Sequence, residues 1–188
     1  MAKNKRKYWI TTDTHLGHYK LTEICSRPEN FSDLIIKRWK TKVAPEDWVI
    51  HLGDLCWPDY YDQLKDLPGH KILVRGNHDT KSNTWYENRG FDLVCERLVM
   101  KLEGLKILFT HEPVIFHDQD INIHGHLHNM EHRIYSQIAE NYGFDDNDLL
   151  MCARYCVSLE QLGYDVHSMS YIIGLAKKQM IKDGFLEG

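Results

Sequence analysis

Short apolar runs, each cut off by a polar cluster, set the rhythm of the chain from Tyr8 to His128. Tyr8–Thr12 reads as a strand that stops at Asp13-Thr-His-Leu-Gly-His18. From Phe31 to Lys42 the apolar positions Leu34, Ile35 and Trp39 recur at helical spacing and continue to Val43, with Ser32 as the expected N-cap. After a turn at Ala44-Pro-Glu-Asp, Trp48–Leu52 predicts a second strand ending at Gly53-Asp54. Tyr60–Leu67 predicts a short helix stopped by Pro68-Gly69, and Lys71–Arg75 a third strand ending at Gly76-Asn-His-Asp79. Strands alternating with helices predict an α/β fold. Open sheets of that kind place ligands beyond the carboxyl ends of their strands, where these polar clusters fall.

The rhythm then changes. Phe91–Leu102 and Leu105–Phe109 read as extended segments joined by a Glu103-Gly104 turn, the second running into Thr110-His-Glu-Pro. Asp120–His124 predicts a strand ending at Gly125-His-Leu-His128. Met130–Asp148 reads as irregular or partly helical, Ala153–Leu159 as a strand, and Ser168–Ile181 as a C-terminal helix with lysines toward its end. No repeat or linker interrupts the pattern, so one domain over residues 1–188 is expected.

Composition narrows the class. The 43% hydrophobic and 27% charged content is that of a globular protein, and apolar runs of at most five residues fall far short of the roughly 20 that span a bilayer. A formal charge of -4, from 23 basic and 27 acidic residues, argues against tight duplex nucleic-acid binding. The basic start of the chain is followed by no apolar signal core, so a cytoplasmic location is expected. Five cysteines without CxxC spacing read as reduced thiols. The 12 histidines carry the signal, because His15, His18, His51, His78, His111, His124, His126 and His128 all lie in or beside the short apolar segments.

The polar clusters offer carboxylates at Asp13 and Asp54, an amide oxygen at Asn77, and imidazoles at His15, His111, His126 and His128. An oxygen and nitrogen set without thiolate suits borderline divalent ions such as Mn, Ni, Fe, Zn or Co. These seven side chains exceed the needs of one tetrahedral ion but fit two ions sharing a carboxylate. Two metals about 3.5–4 Å apart form a clamp for displacement at phosphorus.

In this order, Asp13-x-His15, Gly53-Asp54, Gly76-Asn-His-Asp79, His111 and Gly125-His-x-His128 resemble the calcineurin-like metallophosphoesterase superfamily. The opening Asp13-Thr-His-Leu-Gly-His18 resembles its small bacterial and phage-encoded members. The resemblance implies two mixed β-sheets packed as a sandwich and flanked by helices, in four αββα layers. It implies a first metal on Asp13, His15 and His128, a second on Asn77, His111 and His126, and Asp54 bridging them. It also implies two divalent ions, manganese favoured, with a hydroxide between them as nucleophile. His78 matches the family's catalytic, non-ligand histidine, with Asp54 or Asp79 orienting it.

Around that set, His18 reads as a substrate or loop contact, and Arg75 as a phosphate contact or the partner of a carboxylate. Trp57, Tyr60 and Tyr61 read as rim residues or core, His51 as packed, and His124 as supporting or structural. Residues 130–152, with Arg133, Tyr135, Glu140 and Asp145-Asp146, read as pocket-shaping or as an oligomer contact. The expected function is metal-dependent hydrolysis of a small phosphodiester, such as a nucleotide or nucleic-acid end, by direct attack of hydroxide. The alternatives are a phosphomonoesterase and a catalytically silent, metal-bearing binding or scaffold module. No membrane partner is expected.

Overall fold

The computed structural model describes residues 6–129 and 152–187. A five-stranded sheet has the order β4-β3-β2-β1-β9, built from β1 (Tyr8–Thr11), β2 (Trp48–His51), β3 (His70–Val74), β4 (Phe91–Cys95) and β9 (His167–Ser168). A four-stranded sheet has the order β5-β6-β7-β8, from β5 (Leu98–Leu102), β6 (Leu105–Thr110), β7 (Ile121–His124) and β8 (Arg154–Cys156). Both are mixed. β1 to β4 run parallel with β9 antiparallel to β1, and β6 to β8 run parallel with β5 antiparallel to β6.

Ile10, Ile50, Leu52, Ile72 and Val74 of the first sheet and its loops meet Ile107, Phe109, Ile121 and Ile123 of the second in one buried cluster. Each such side chain, taken out of water, contributes about 1.5–3 kcal/mol. The outer face of the first sheet, including Val49, Leu73 and Val94, packs on Trp39, Leu64 and Tyr86. Those three belong to α2 (Phe31–Lys42), a 3₁₀ helix (Pro58–Asp66) and α3 (Asn83–Glu87). Because both faces are covered, β2 and β3 are buried almost throughout and read as continuous apolar runs rather than as alternation. The C-terminal helix, Met169–Lys182, is capped by Ser168 and packs on β1, β8 and β9, so it touches both sheets. The expected sandwich of two mixed sheets with flanking helices is the observed fold.

Three expectations are corrected. The extended run 91–102 is two strands in different sheets, with Glu96 and Arg97 carrying the chain across. Ser32 does not cap α2: Asn30 holds that position, and the Ser32 hydroxyl accepts the Gly17 amide (2.9 Å), tying the helix to the loop after β1. The helix expected at Tyr60–Leu67 is a 3₁₀ segment that starts earlier, where Pro58 presets its first turn. The chain also forms α1 (Leu21–Ile24) and a short helix, α4 (Leu159–Leu162), which the apolar pattern is too brief to announce. The C-terminal helix is therefore α5. The readings for Met130–Asp148 lie outside the described residues.

Candidate metal centre

Parallel strands deliver their following loops to one edge. The loops after β1 and β2 zip together through Asp13 N–H to Gly53 O (2.9 Å), His15 N–H to Asp54 O (2.9 Å) and Leu16 N–H to Leu55 O (3.0 Å). On the second sheet Gly125 N–H donates to His111 O (2.9 Å). The His126 amide donates to Asp13 Oδ2 (2.9 Å), which joins the sheets. These loops approach so closely that a Cβ on Gly76 would lie 2.2 Å from Asp54 Oδ1, and one on Gly125 2.3 Å from Asp13 Oδ2. Asp13, His15, Asp54, His126 and His128 all have left-handed backbone, with φ from 42° to 71°. For residues other than glycine this is strained, and it aims their side chains out of the strand direction.

The side chains converge. Asp54 Oδ2 lies 3.4 Å from both His15 Nε2 and His111 Nε2. His111 Nε2 is in turn 2.9 Å from Asn77 Oδ1 and 3.1 Å from His126 Nδ1. On the other side His128 Nε2 is 3.9 Å from Asp13 Oδ1, and its ring stacks on that of His15 at 5.3 Å. Asp13 Oδ1 and both ring nitrogens of His15 are buried without a hydrogen-bond partner. Each such orphan costs about 1–3 kcal/mol, a penalty a bound cation removes at Asp13 Oδ1 and at the one His15 nitrogen that carries a lone pair. Asp13, His15 and His128 are close enough to grasp one ion, and so are Asp13, Asp54 and His111. The donor set therefore fits divalent metal.

Burial and charge set the protonation of the ligand residues. Burial pushes His15 down to about 2, so its ring is neutral. His111 donates its Nδ1–H to Leu52 O (2.7 Å), which leaves Nε2 as the nitrogen facing Asp54. Burial opposes charge on His111 and on Asp54, yet their mutual attraction wins, raising His111 to about 9 and holding Asp54 well below the usual carboxylate range. A pocket that draws in a proton this way also draws in a metal cation. Cys25, His128 and Glu160 form a third group within ligating reach, but the Arg27 guanidinium lies 2.7 Å from Glu160 Oε1 and would repel an ion there.

The structure brings all seven expected ligand residues together. His78 sits at the mouth, its side chain 50% exposed and Nε2 4.0 Å from Asp54 Oδ2, while its main-chain N–H donates to Asp54 Oδ1 (2.8 Å). Asp79 does not reach a histidine as expected. Its oxygens accept the amides of Asp54 (2.8 Å), Gly76 (2.8 Å) and Leu55 (3.2 Å), so it locks two loops and acts on the site through them. His18 stacks on Trp57 at 3.8 Å, and Trp57 also flanks His78. Tyr60 meets Tyr19, and Tyr61 packs on Trp85. Arg75 bonds the Asp79 carbonyl (2.6 Å) and Glu96 (3.2 Å), bracing the loop while lining a cleft of about 1070 Å³ that opens beside Asn77, His111 and His126. Sequence reasoning missed Arg27 and Glu160. One is a single arginine in a loop and the other a single glutamate just past the strand expected at 153–159, so neither carries a local signal.

His51 and His124 are wholly enclosed. His51 Nδ1 accepts the Gly53 amide (3.1 Å), so Nε2 carries the proton and donates to Thr14 Oγ1 (2.9 Å). Burial pushes both histidines down from 6.5 to about 3. Between those values the unfolded chain binds protons that the folded chain refuses. Stability is therefore full above pH 6.5 and is lost as pH falls toward 3, by up to about 1.4 kcal/mol per pH unit for each ring. Urea unfolding of metal-stripped protein should show this acid limb. His51→Gln, which cannot titrate, should flatten it; an unchanged slope would refute the assignment.

Fold and pocket together define an α/β sandwich carrying Asp/His groups able to hold a metal at its strand ends. The calcineurin-like phosphoesterase superfamily domain matches residues 7–142. The chain belongs to that superfamily of metal-dependent phosphoester hydrolases. It is 26% identical over 185 residues to an uncharacterized protein of Methanocaldococcus jannaschii, covering 92% of this chain and 93% of that one. It is 34% identical over 80 residues to the gene 66 protein of Mycobacterium phage L5, covering 38% of this chain and 39% of the phage protein. A crystal structure of a protein of unknown function from Aquifex aeolicus shares the fold, with TM-score 0.69, 24% identity, and coverage of 91% of this chain and 100% of that one. Among the described residues no helix is long and apolar enough to cross a membrane.

Proposed function

We propose that this protein hydrolyses a small phosphodiester with two divalent ions held by Asp13, His15 and His128 on one side, Asn77, His111 and His126 on the other, and Asp54 between. The observation that carries the reading is Asp54 Oδ2, equidistant at 3.4 Å from His15 Nε2 and His111 Nε2, beside the orphaned atoms of Asp13 and His15. When bound, the ions polarise the phosphoryl group and acidify the attacking water. His78, exposed at the mouth, contacts the phosphoryl oxygens or delivers a proton to the leaving oxygen. Asp54 and Asp79 hold its loop, one through the His78 amide and the other through Gly76. Trp57 and His18 wall one side of the phosphate position.

The diester preference is supported by the cleft beside Asn77 and His126. Its volume of about 1070 Å³, with Arg97, Glu112 and Phe116 further along it, exceeds what a lone phosphate needs and suits a nucleotide-sized substituent. Metal-stripped protein given Mn, Ni, Zn or Mg in turn should bind two ions. It should hydrolyse bis-p-nitrophenyl phosphate faster than p-nitrophenyl phosphate. Manganese at about 100 times its dissociation constant for each site should raise Tm by roughly 10–20 °C, about half from each ion. Faster monoester turnover would make it a phosphatase, and two bound ions without turnover of either ester would favour a binding module.

A further inference from the structure

We propose that Arg27 and Glu160 are a buried positioning pair that shapes the Asp13–His15–His128 half of the centre before any ion arrives, an inference that rests on the metal-centre reading above. The two residues lie 133 positions apart, yet their side chains are 0% and 4% exposed and joined at 2.7 Å. Burying two charges is costly, and an apolar pair would pack as well. What an apolar pair would lack is the set of hydrogen bonds this one makes.

Nη2 of the guanidinium donates to the carbonyl of Asp13 (2.8 Å) and Nη1 to that of Thr14 (3.1 Å), where the backbone passes between the two left-handed residues Asp13 and His15. The rings of Phe31 and Tyr164 lie 5.1 and 5.8 Å from its carbon and fix its plane. Its Nε holds Glu160 Oε1 at 2.8 Å, and that oxygen also accepts His128 Nδ1–H at 3.0 Å. The Nε2 lone pair of His128 is thereby left facing Asp13 Oδ1. Arg27 Nη2 stands 3.4 Å from the same Nδ1. Without Glu160 that ring nitrogen would meet a donor instead of an acceptor, and the ring proton would move to Nε2, where an ion must bind. Glu160 thus selects the tautomer, and Arg27 holds both Glu160 and the loop that carries Asp13 and His15.

Calorimetric Mn titration of the metal-stripped full chain tests this, together with NMR of histidine-labelled, zinc-loaded protein. Glu160→Ala should weaken one of the two ions by about 10–100-fold, leave the other unchanged, and abolish the exchange-protected His128 Nδ1–H signal. Should that variant not fold, Arg27→Lys keeps the charge but not the fork, and should weaken the same ion by about tenfold. Wild-type uptake of two ions with unchanged affinities in the folded variants overturns the pair alone. Wild-type protein that binds no ion overturns the metal-centre reading and the pair with it.

Discussion

Asp54→Asn is expected to lower kcat/KM for diester hydrolysis by at least about 10³-fold, the equivalent of about 4 kcal/mol of transition-state stabilisation. The substitution is nearly isosteric, and the amide oxygen still accepts the His78 main-chain N–H now bonded at 2.8 Å. What disappears is the charge shared by the His15 and His111 sides, each 3.4 Å from Oδ2. Manganese stoichiometry should fall with the rate, and the apoprotein should also lose stability, because His111 is left without the carboxylate that offsets its buried charge. A variant that keeps both ions and works within tenfold of wild type would remove Asp54 from the bridging position.

His78→Ala should cost about 10²–10⁴-fold in kcat and leave both ions bound. The side chain is half exposed and 4.0 Å from Asp54 Oδ2, so truncating it opens no cavity and removes no expected ligand. The separation of the two effects is the informative part. If His78→Ala loses metal in step with activity, the residue is a ligand and the division of roles fails. If kcat is unaffected, proton transfer or phosphoryl contact at the mouth belongs to another group, and His18, which stacks on Trp57 and is outside the ligand set, is the imidazole to test next.

Much of this was legible in the chain because ligand geometry follows from strand ends. Asp13, Asp54 and Asn77 each follow a short apolar run, and once β1, β2 and β3 are parallel their loops share an edge. The division into two sheets was legible through the family resemblance but not through the apolar pattern. Residues 91–102 keep an extended pattern throughout, and nothing local says that β4 pairs with β3 while β5 pairs with β6. Sheet membership is decided by partners far away in sequence. The same holds for Arg27 and Glu160, whose meaning lies in a contact across 133 residues. Asp79 shows the converse error: its residue type and position suggested a histidine partner, but three unpaired amides lay closer.

The left-handed backbone at Asp13, His15, Asp54, His126 and His128 has a consequence for anyone engineering this protein. Strain of this kind costs on the order of 1–3 kcal/mol at each position, and glycine would relieve it. Selection for heat resistance alone would therefore press against these strained positions, and any glycine it placed at a ligand would cost activity. A thermostabilised variant has to draw its gains from elsewhere, and the exposed Val99 and Leu93 on the sheet surfaces are safer places to begin.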